Sequence, residues 1–284
     1  MTMNLILQSL NMNTSGMERI AALCAHDSIT RISEYALRVN HVREADSETL
    51  RASVASAAFA AQVDATFVPA GRQLGQFKLL AMDMDSTVIT IECIDEIADM
   101  QGLKPQVAAI TEAAMRGELE FAASLNRRVA LLKGLDCSSL QRVYNERLQL
   151  SHGAQPLLAA VKAAGLKTLL VSGGFTFFTE RLQERLGLDY SHANVLEIVD
   201  GKLTGRVVGA IVDAEEKKRT VARTCLAMGI TPAQTIVMGD GANDLKMMQG
   251  AGLSVAFRAK PVVRAQADCA LNFVGLDGVL TLFQ

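Results

Sequence analysis

Residues Phe77–Thr90 read FKLLAMDMDSTVIT. A short apolar run bounded by an acidic, hydroxyl-rich turn predicts a buried strand. The end of that strand carries Asp83 and Asp85 into a loop, followed at once by Ser86 and Thr87. Two carboxylates two residues apart converge on one site where the chain turns, and there they share a metal or divide nucleophile and acid work. Asp, Ser and Thr also favour caps and turns for purely local reasons. Alone, then, the stretch reads equally well as a site and as a solvated turn.

Three later stretches tip that balance. Leu169-Leu170-Val171 predicts another short buried strand, ending on Ser172-Gly173-Gly174, a hydroxyl and two residues that let backbone N–H groups close on an anion. Thr235–Met238 predicts a third, opening into Gly239-Asp240-Gly241-Ala242-Asn243-Asp244. Between these two lies Lys217, at a polar helix start. In a parallel α/β sheet the C-terminal strand ends lie along one edge, where ligands bind.

The set DMDST, LLVSGG, Lys217 and GDGAND resembles the four motifs of the haloacid dehalogenase-like phosphohydrolases. It is most similar to the branch of that family that hydrolyses phosphoserine. The likeness runs from about Phe77 to Phe273 and continues through TIECIDEIA, with Glu92, and GELEFAASLNRRVALLKGL, with Arg128. The resemblance implies an α/β, Rossmann-like core with a mainly parallel sheet, a helical cap inserted after the first core strand and a small β-hairpin flap. The expected division is a small α+β module over residues 1–74 and a phosphatase domain over 75–284, with the cap at about 94–152.

It also implies a chemistry. A phosphomonoester is doubly charged at neutral pH, so positive charge has to be in place before an anion attacks. Asp83, Asp240 and the backbone carbonyl of Asp85 are expected to hold Mg2+, a hard cation that takes oxygen ligands. Asp83 is the expected nucleophile, forming an aspartyl-phosphate, and Asp85 the general acid and base. Lys217 neutralises phosphoryl oxygens; Ser172, the Gly173 N–H and Asn243 bind them. Asp244 stands behind, orienting Lys217 or a metal-bound water. Glu92 and Arg128 are expected to meet the ammonium and carboxylate of phosphoserine, with Met115 and Phe121 lining the pocket.

Arg127 precedes Arg128, and helix neighbours point about 100 degrees apart, so only one of them faces a cleft. A guanidinium matches a carboxylate with two parallel donors, which a lysine cannot do. Lys217, Lys218 and Arg219 are consecutive, so an exposed basic turn competes with the catalytic reading; register against the motif favours Lys217.

Composition agrees with a globular chain. It has 284 residues, half of them hydrophobic, with a formal charge of −2 and no basic stripe that would imply nucleic acid. Cys24, Cys93, Cys137, Cys225 and Cys269 lack paired spacing and read as reduced thiols of a cytoplasmic protein. His26, His41, His152 and His192 lack zinc-ligand spacing. No apolar run is long enough to span a bilayer, so no membrane partner is expected.

Before Gln73 the chain alternates strand-like and helical patterns: a strand in Asn4–Leu10, a helix in Gly16–Cys24, the alternating ALRVNHV, a Ser47-opened alanine-rich helix to Gln62, and a strand over Asp64–Pro69. The resemblance places a regulatory amino-acid-binding module there, but no ligand loop is visible. Packing or homodimer formation is favoured over effector binding. Asp200-Gly201 predicts a type I′ turn between Val195–Val199 and Lys202–Val208. Three alternatives remain open from sequence: a phosphotransferase passing the group to an alcohol such as homoserine, a phosphorylatable receiver domain, and a non-catalytic amino-acid sensor.

Overall fold

The computed structural model describes residues 2–115 and 118–284. Eleven strands and eleven α-helices are found among them. The chain divides into two compact units, one of Met1–Leu80, His152–Lys167 and Thr231–Gln284, the other of Ala81–Ser151 and Thr168–Ile230.

The first unit opens with β1 (Met3–Gln8), α1 (Thr14–Ala21), β2 (Ser28–Ser33), β3 (Ala36–Val42), α2 (Glu48–Ala60) and β4 (Asp64–Pro69). The strands form a four-stranded sheet in the order β2-β3-β1-β4, antiparallel throughout. One face buries Leu5, Leu7, Leu37 and Val39 against Met17 and Ile20 of α1 and Val54 and Ala58 of α2. Ser47 caps α2, its Oγ accepting from Leu50 N. This small sheet is moored to the end of the chain by Asp64. Its buried carboxylate accepts from the N–H groups of Asn272, Phe273 and Val274 and from Asn272 Nδ2 at 2.7 to 3.2 Å. Arg38 donates to the Phe283 carbonyl at 3.1 Å. The same unit holds α7 (Ala154–Ala163), β9 (Thr235–Gly239), α10 (Leu245–Met248), β10 (Leu253–Phe257), α11 (Pro261–Arg264) and β11 (Cys269–Leu271). Strands β9, β10 and β11 run parallel, and every residue of β9 and β10 is buried, the pattern of strands covered on both faces.

The second unit takes up the chain within β5 (Leu79–Met82) and holds α3 (Cys93–Asp99), α4 (Lys104–Met115), α5 (Phe121–Leu131) and α6 (Ser138–Glu146). Then follow β6 (Lys167–Phe175), α8 (Thr176–Leu186), β7 (Tyr190–Val199), β8 (Lys202–Val208) and α9 (Ala214–Met228). Within this unit β7 lies between β6 and β8, parallel to the first and antiparallel to the second.

Two strands are longer than the sequence predicts. The hairpin turn has the expected form, with positive φ at both Asp200 and Gly201. But β7 begins at Tyr190, and its first half pairs parallel with β6 before its second half pairs antiparallel with β8. The polar run Tyr190-Ser191-His192-Ala193-Asn194 hides that first half. Likewise β6 continues through Ser172-Gly173-Gly174 to Phe175, with a register shift against β7 between Val171 and Phe175. Those three residues therefore form a bulge within the strand's C-terminal end.

Candidate active site

Strand β5 delivers Asp83 in an extended conformation and then turns sharply, with Ser86 at φ 56. A left-handed serine is uncommon and costs on the order of 1–3 kcal/mol, so the surroundings must hold it. They do: Ser86 N donates to Ile91 O at 3.2 Å, and Ser86 Oγ donates to Glu92 Oε1 at 2.7 Å. The turn folds Asp85 back onto the start of α3, where Cys93 N donates to Asp85 Oδ1 at 3.2 Å.

Asp83 meets Lys217. Lys217 Nζ donates to Asp83 Oδ1 at 2.6 Å, and the two side chains are 1% and 7% exposed. A pair so buried is held tightly by mutual need, since removing one partner of such a pair costs about 3–5 kcal/mol. Asp213 caps α9 by accepting from Glu216 N at 2.8 Å, which sets the register that turns Lys217 inward and leaves Lys218 and Arg219 exposed. Among the described residues no cation is paired with Asp85 in this way. Burial, helped by the negative charge of Glu92, pushes its pKa up to about 7, and the Cys93 hydrogen bond and Lys217 offset this only in part.

The β6 bulge lies beside this carboxylate. Ser172 is buried, and its Oγ accepts from Gly174 N at 2.8 Å. A Cβ on Gly174 would stand 2.7 Å from Asp85 Oδ2 and 2.9 Å from Met84 Cε, so only glycine lets the two segments approach. A Cβ on Gly173 would stand 3.1 Å from Phe121 Cζ, which puts the ring of that half-buried residue over the bulge.

Arg128 is half-buried on α5 while Arg127 is exposed. Burial pulls the Arg128 pKa down, opposed by Asp95, Glu92 and Asp85 in that order. Among the described residues its Nε finds no hydrogen-bond partner. The cap thus presents a guanidinium among carboxylates with a donor to spare. Met115 ends α4, and its side chain lies outside the described residues.

In the other unit, β9 runs into a loop that closes on itself. Asp244 is fully buried; its Oδ2 accepts from Gly241 N at 3.0 Å, and its own N–H donates to Gly241 O at 3.0 Å. Asp240 and Asn243 are half-buried, and the Asp240 carbonyl accepts from Lys260 N at 3.1 Å.

One polar residue of the second unit escaped the sequence reading. Asn194 is 1% exposed; its Nδ2 donates to Gly173 O at 2.7 Å and its Oδ1 accepts from Val212 N at 2.8 Å. The available signal was an amide in the strand-like run ANVLEIV, where a buried polar group needs partners.

This arrangement of strand-end carboxylates, hydroxyl and buried lysine is that of a hydrolase family, and the chain belongs to it: the family model for haloacid dehalogenase-like hydrolases matches residues 77–252. Among curated relatives, the phosphoserine phosphatase of Polaromonas sp. (strain JS666) is 59% identical over 215 residues, a match covering 74% of this chain and 91% of that protein. Two solved structures match nearly the whole chain. A HAD family hydrolase from Salmonella enterica serovar Typhi aligns with TM-score 0.90 at 33% identity, covering 100% of this chain and 99% of its own. A probable phosphoserine phosphatase from Vibrio cholerae, in unliganded form, aligns with TM-score 0.83 at 36% identity, covering 98% and 85%. No helix among the described residues is long and apolar enough to cross a membrane.

Proposed function

We propose that this chain hydrolyses O-phospho-L-serine to L-serine and phosphate, the last step of serine biosynthesis, through an aspartyl-phosphate on Asp83. The observation that carries the reading is the buried Lys217–Asp83 pair at 2.6 Å beside the raised carboxyl of Asp85. The 59% identity to a phosphoserine phosphatase supports the substrate.

Asp83 attacks phosphorus in line while Lys217, already against it, balances the charge that gathers there. A carboxyl that ionises near neutrality suits Asp85 to protonate the departing seryl oxygen and then take a proton from the attacking water. Ser172, the Gly173 N–H and Asn243 bind phosphoryl oxygens. Glu92 takes the substrate ammonium and Arg128 its carboxylate, the spare Nε donor of Arg128 supporting that assignment. Met115 and Phe121 line the pocket, and Asp244 orients Lys217 or a bound water.

The carboxylates of Asp83, Asp240 and Asp244 are a donor set of the hard oxygen kind that magnesium takes. Asp83, Asp240 and the Asp85 carbonyl are the assigned ligands, and a magnesium ion bound there would screen the phosphoryl charge. We assign residues 1–74 to a small module that serves packing or self-association, residues 75–284 to the catalytic domain, and about 94–152 to its cap. Five free cysteines fit a cytoplasmic protein.

The test is phosphate release from L-phosphoserine, with magnesium and with chelator, beside glucose 6-phosphate and other phosphomonoesters. A magnesium-dependent preference for phosphoserine is expected. Equal turnover of glucose 6-phosphate would discard the Glu92 and Arg128 assignments.

A further inference from the structure

We infer that Asn194 is a positioning residue that sets the direction of the Ser172 hydroxyl, an inference that rests on Ser172 binding phosphate. The bulge at Ser172-Gly173-Gly174 takes its backbone groups off the ladder with β7, so they need partners of another kind. Two side chains supply them. Asn194 Nδ2 donates to the Gly173 carbonyl at 2.7 Å, and Ser172 Oγ accepts from the Gly174 N–H at 2.8 Å.

Those two groups belong to one peptide. In a planar trans peptide the C=O and the N–H point in opposite directions, so the plane between Gly173 and Gly174 is gripped at both ends. Two successive glycines otherwise let such a plane flip at small steric cost. The flip matters chemically. With the N–H toward Ser172, the serine oxygen is used as an acceptor and its proton is left to donate to an anion. With the carbonyl toward Ser172, the hydroxyl would donate to that carbonyl and turn a lone pair to the anion.

The same amide has a second grip. Asn194 Oδ1 accepts from Val212 N at 2.8 Å, one residue before Asp213, which caps the helix carrying Lys217. One buried side chain therefore ties the bulge to the start of α9. The amide offers both a donor and an acceptor there: a carboxylate keeps the bond from Val212 and repels Gly173 O.

The experiment compares wild type with Asn194→Asp and Asn194→Ala, measuring kcat and KM for L-phosphoserine, the inhibition constant of inorganic phosphate, and Tm. A rise of about tenfold or more in KM and in the phosphate inhibition constant is expected in Asn194→Asp, one good hydrogen bond to an anion being worth a factor of this order. A fall in Tm with both constants within twofold of wild type would overturn the inference. Should both variants fail to fold, wild-type protein labelled with nitrogen-15 and titrated with inorganic phosphate decides it. The Gly174 amide and the Asn194 side-chain amide are expected to shift together, and an Asn194 signal that stays fixed while Gly174 moves would overturn it. If wild type binds phosphate but does not turn over phosphoserine, the substrate reading fails and this inference stands.

Discussion

The bulge at the end of β6 and the loop after β9 both close a strand end with glycines, yet they are held by opposite means. Ser172-Gly173-Gly174 has one bond of its own, from Gly174 N to Ser172 Oγ, but is held chiefly from outside, by Asn194 from 21 residues further along the chain and by close approach to Asp85. Gly239–Asp244 is held in part from within, the Asp244 carboxylate and N–H both bonding Gly241 three residues back. A loop that closes on itself announces its geometry in its own string. A segment held by distant partners announces only its composition, and its geometry appears when the partners are found.

Five substitutions break or sharpen this contrast. The largest effect is expected for Asp83→Asn, which removes the nucleophile yet keeps an acceptor for Lys217: phosphate release falls on the order of 10⁴-fold or more while the circular dichroism spectrum is unchanged. A variant retaining a percent of wild-type turnover would show that Asp83 is not the nucleophile.

Next is Gly174→Ala, whose Cβ must push Asp85 Oδ2 away from 2.7 Å; displacements approaching 1 Å at reacting groups cost roughly 10²-fold, so kcat should fall by about that factor. The matching change in the other loop, Gly241→Ala, meets the Asn243 side-chain oxygen, which can turn aside, and its effect on kcat is expected to be smaller. Equal losses in the two variants would erase the distinction between the loops.

Arg128→Lys comes third. It exchanges a forked donor for a point charge, and kcat/KM for phosphoserine should drop roughly 10-fold to 100-fold while that for p-nitrophenyl phosphate, which brings no carboxylate, changes little. The smallest effect on turnover is expected for Asp64→Ala, whose carboxylate bonds Asn272, Phe273 and Val274 and none of the residues assigned to catalysis. Its cost falls on stability instead. It strips the acceptor from three backbone N–H groups, one buried and two partly buried, at about 1 kcal/mol each, so thermal unfolding should shift down by several degrees with kcat unchanged.

The parts legible in the sequence are those whose signal is local. Apolar runs ending in Asp or Gly locate β5, β6 and β9, and Asp200-Gly201 locates the hairpin turn. Register against the motif selects Lys217 over Lys218 and Arg219; the cap at Asp213, four positions earlier, is what the structure adds. What escaped is remote or disguised. The first half of β7 is polar, Asn194 bonding the bulge and Ser191 bonding Gln183, and β2 is exposed along its whole length, so SITRIS offers no buried face to read. The orientation of Gly173 has no local signature at all, since a glycine pair permits either direction of the peptide.

Asp64 has a consequence for how the chain is made. A ribosome finishes the strand bearing this carboxylate long before the residues that satisfy it emerge, Asn272 lying 208 positions downstream. Until then the four-stranded module carries a carboxylate without the three backbone N–H groups that receive it. A module made early is thus completed late, by residues from the far side of the catalytic motifs.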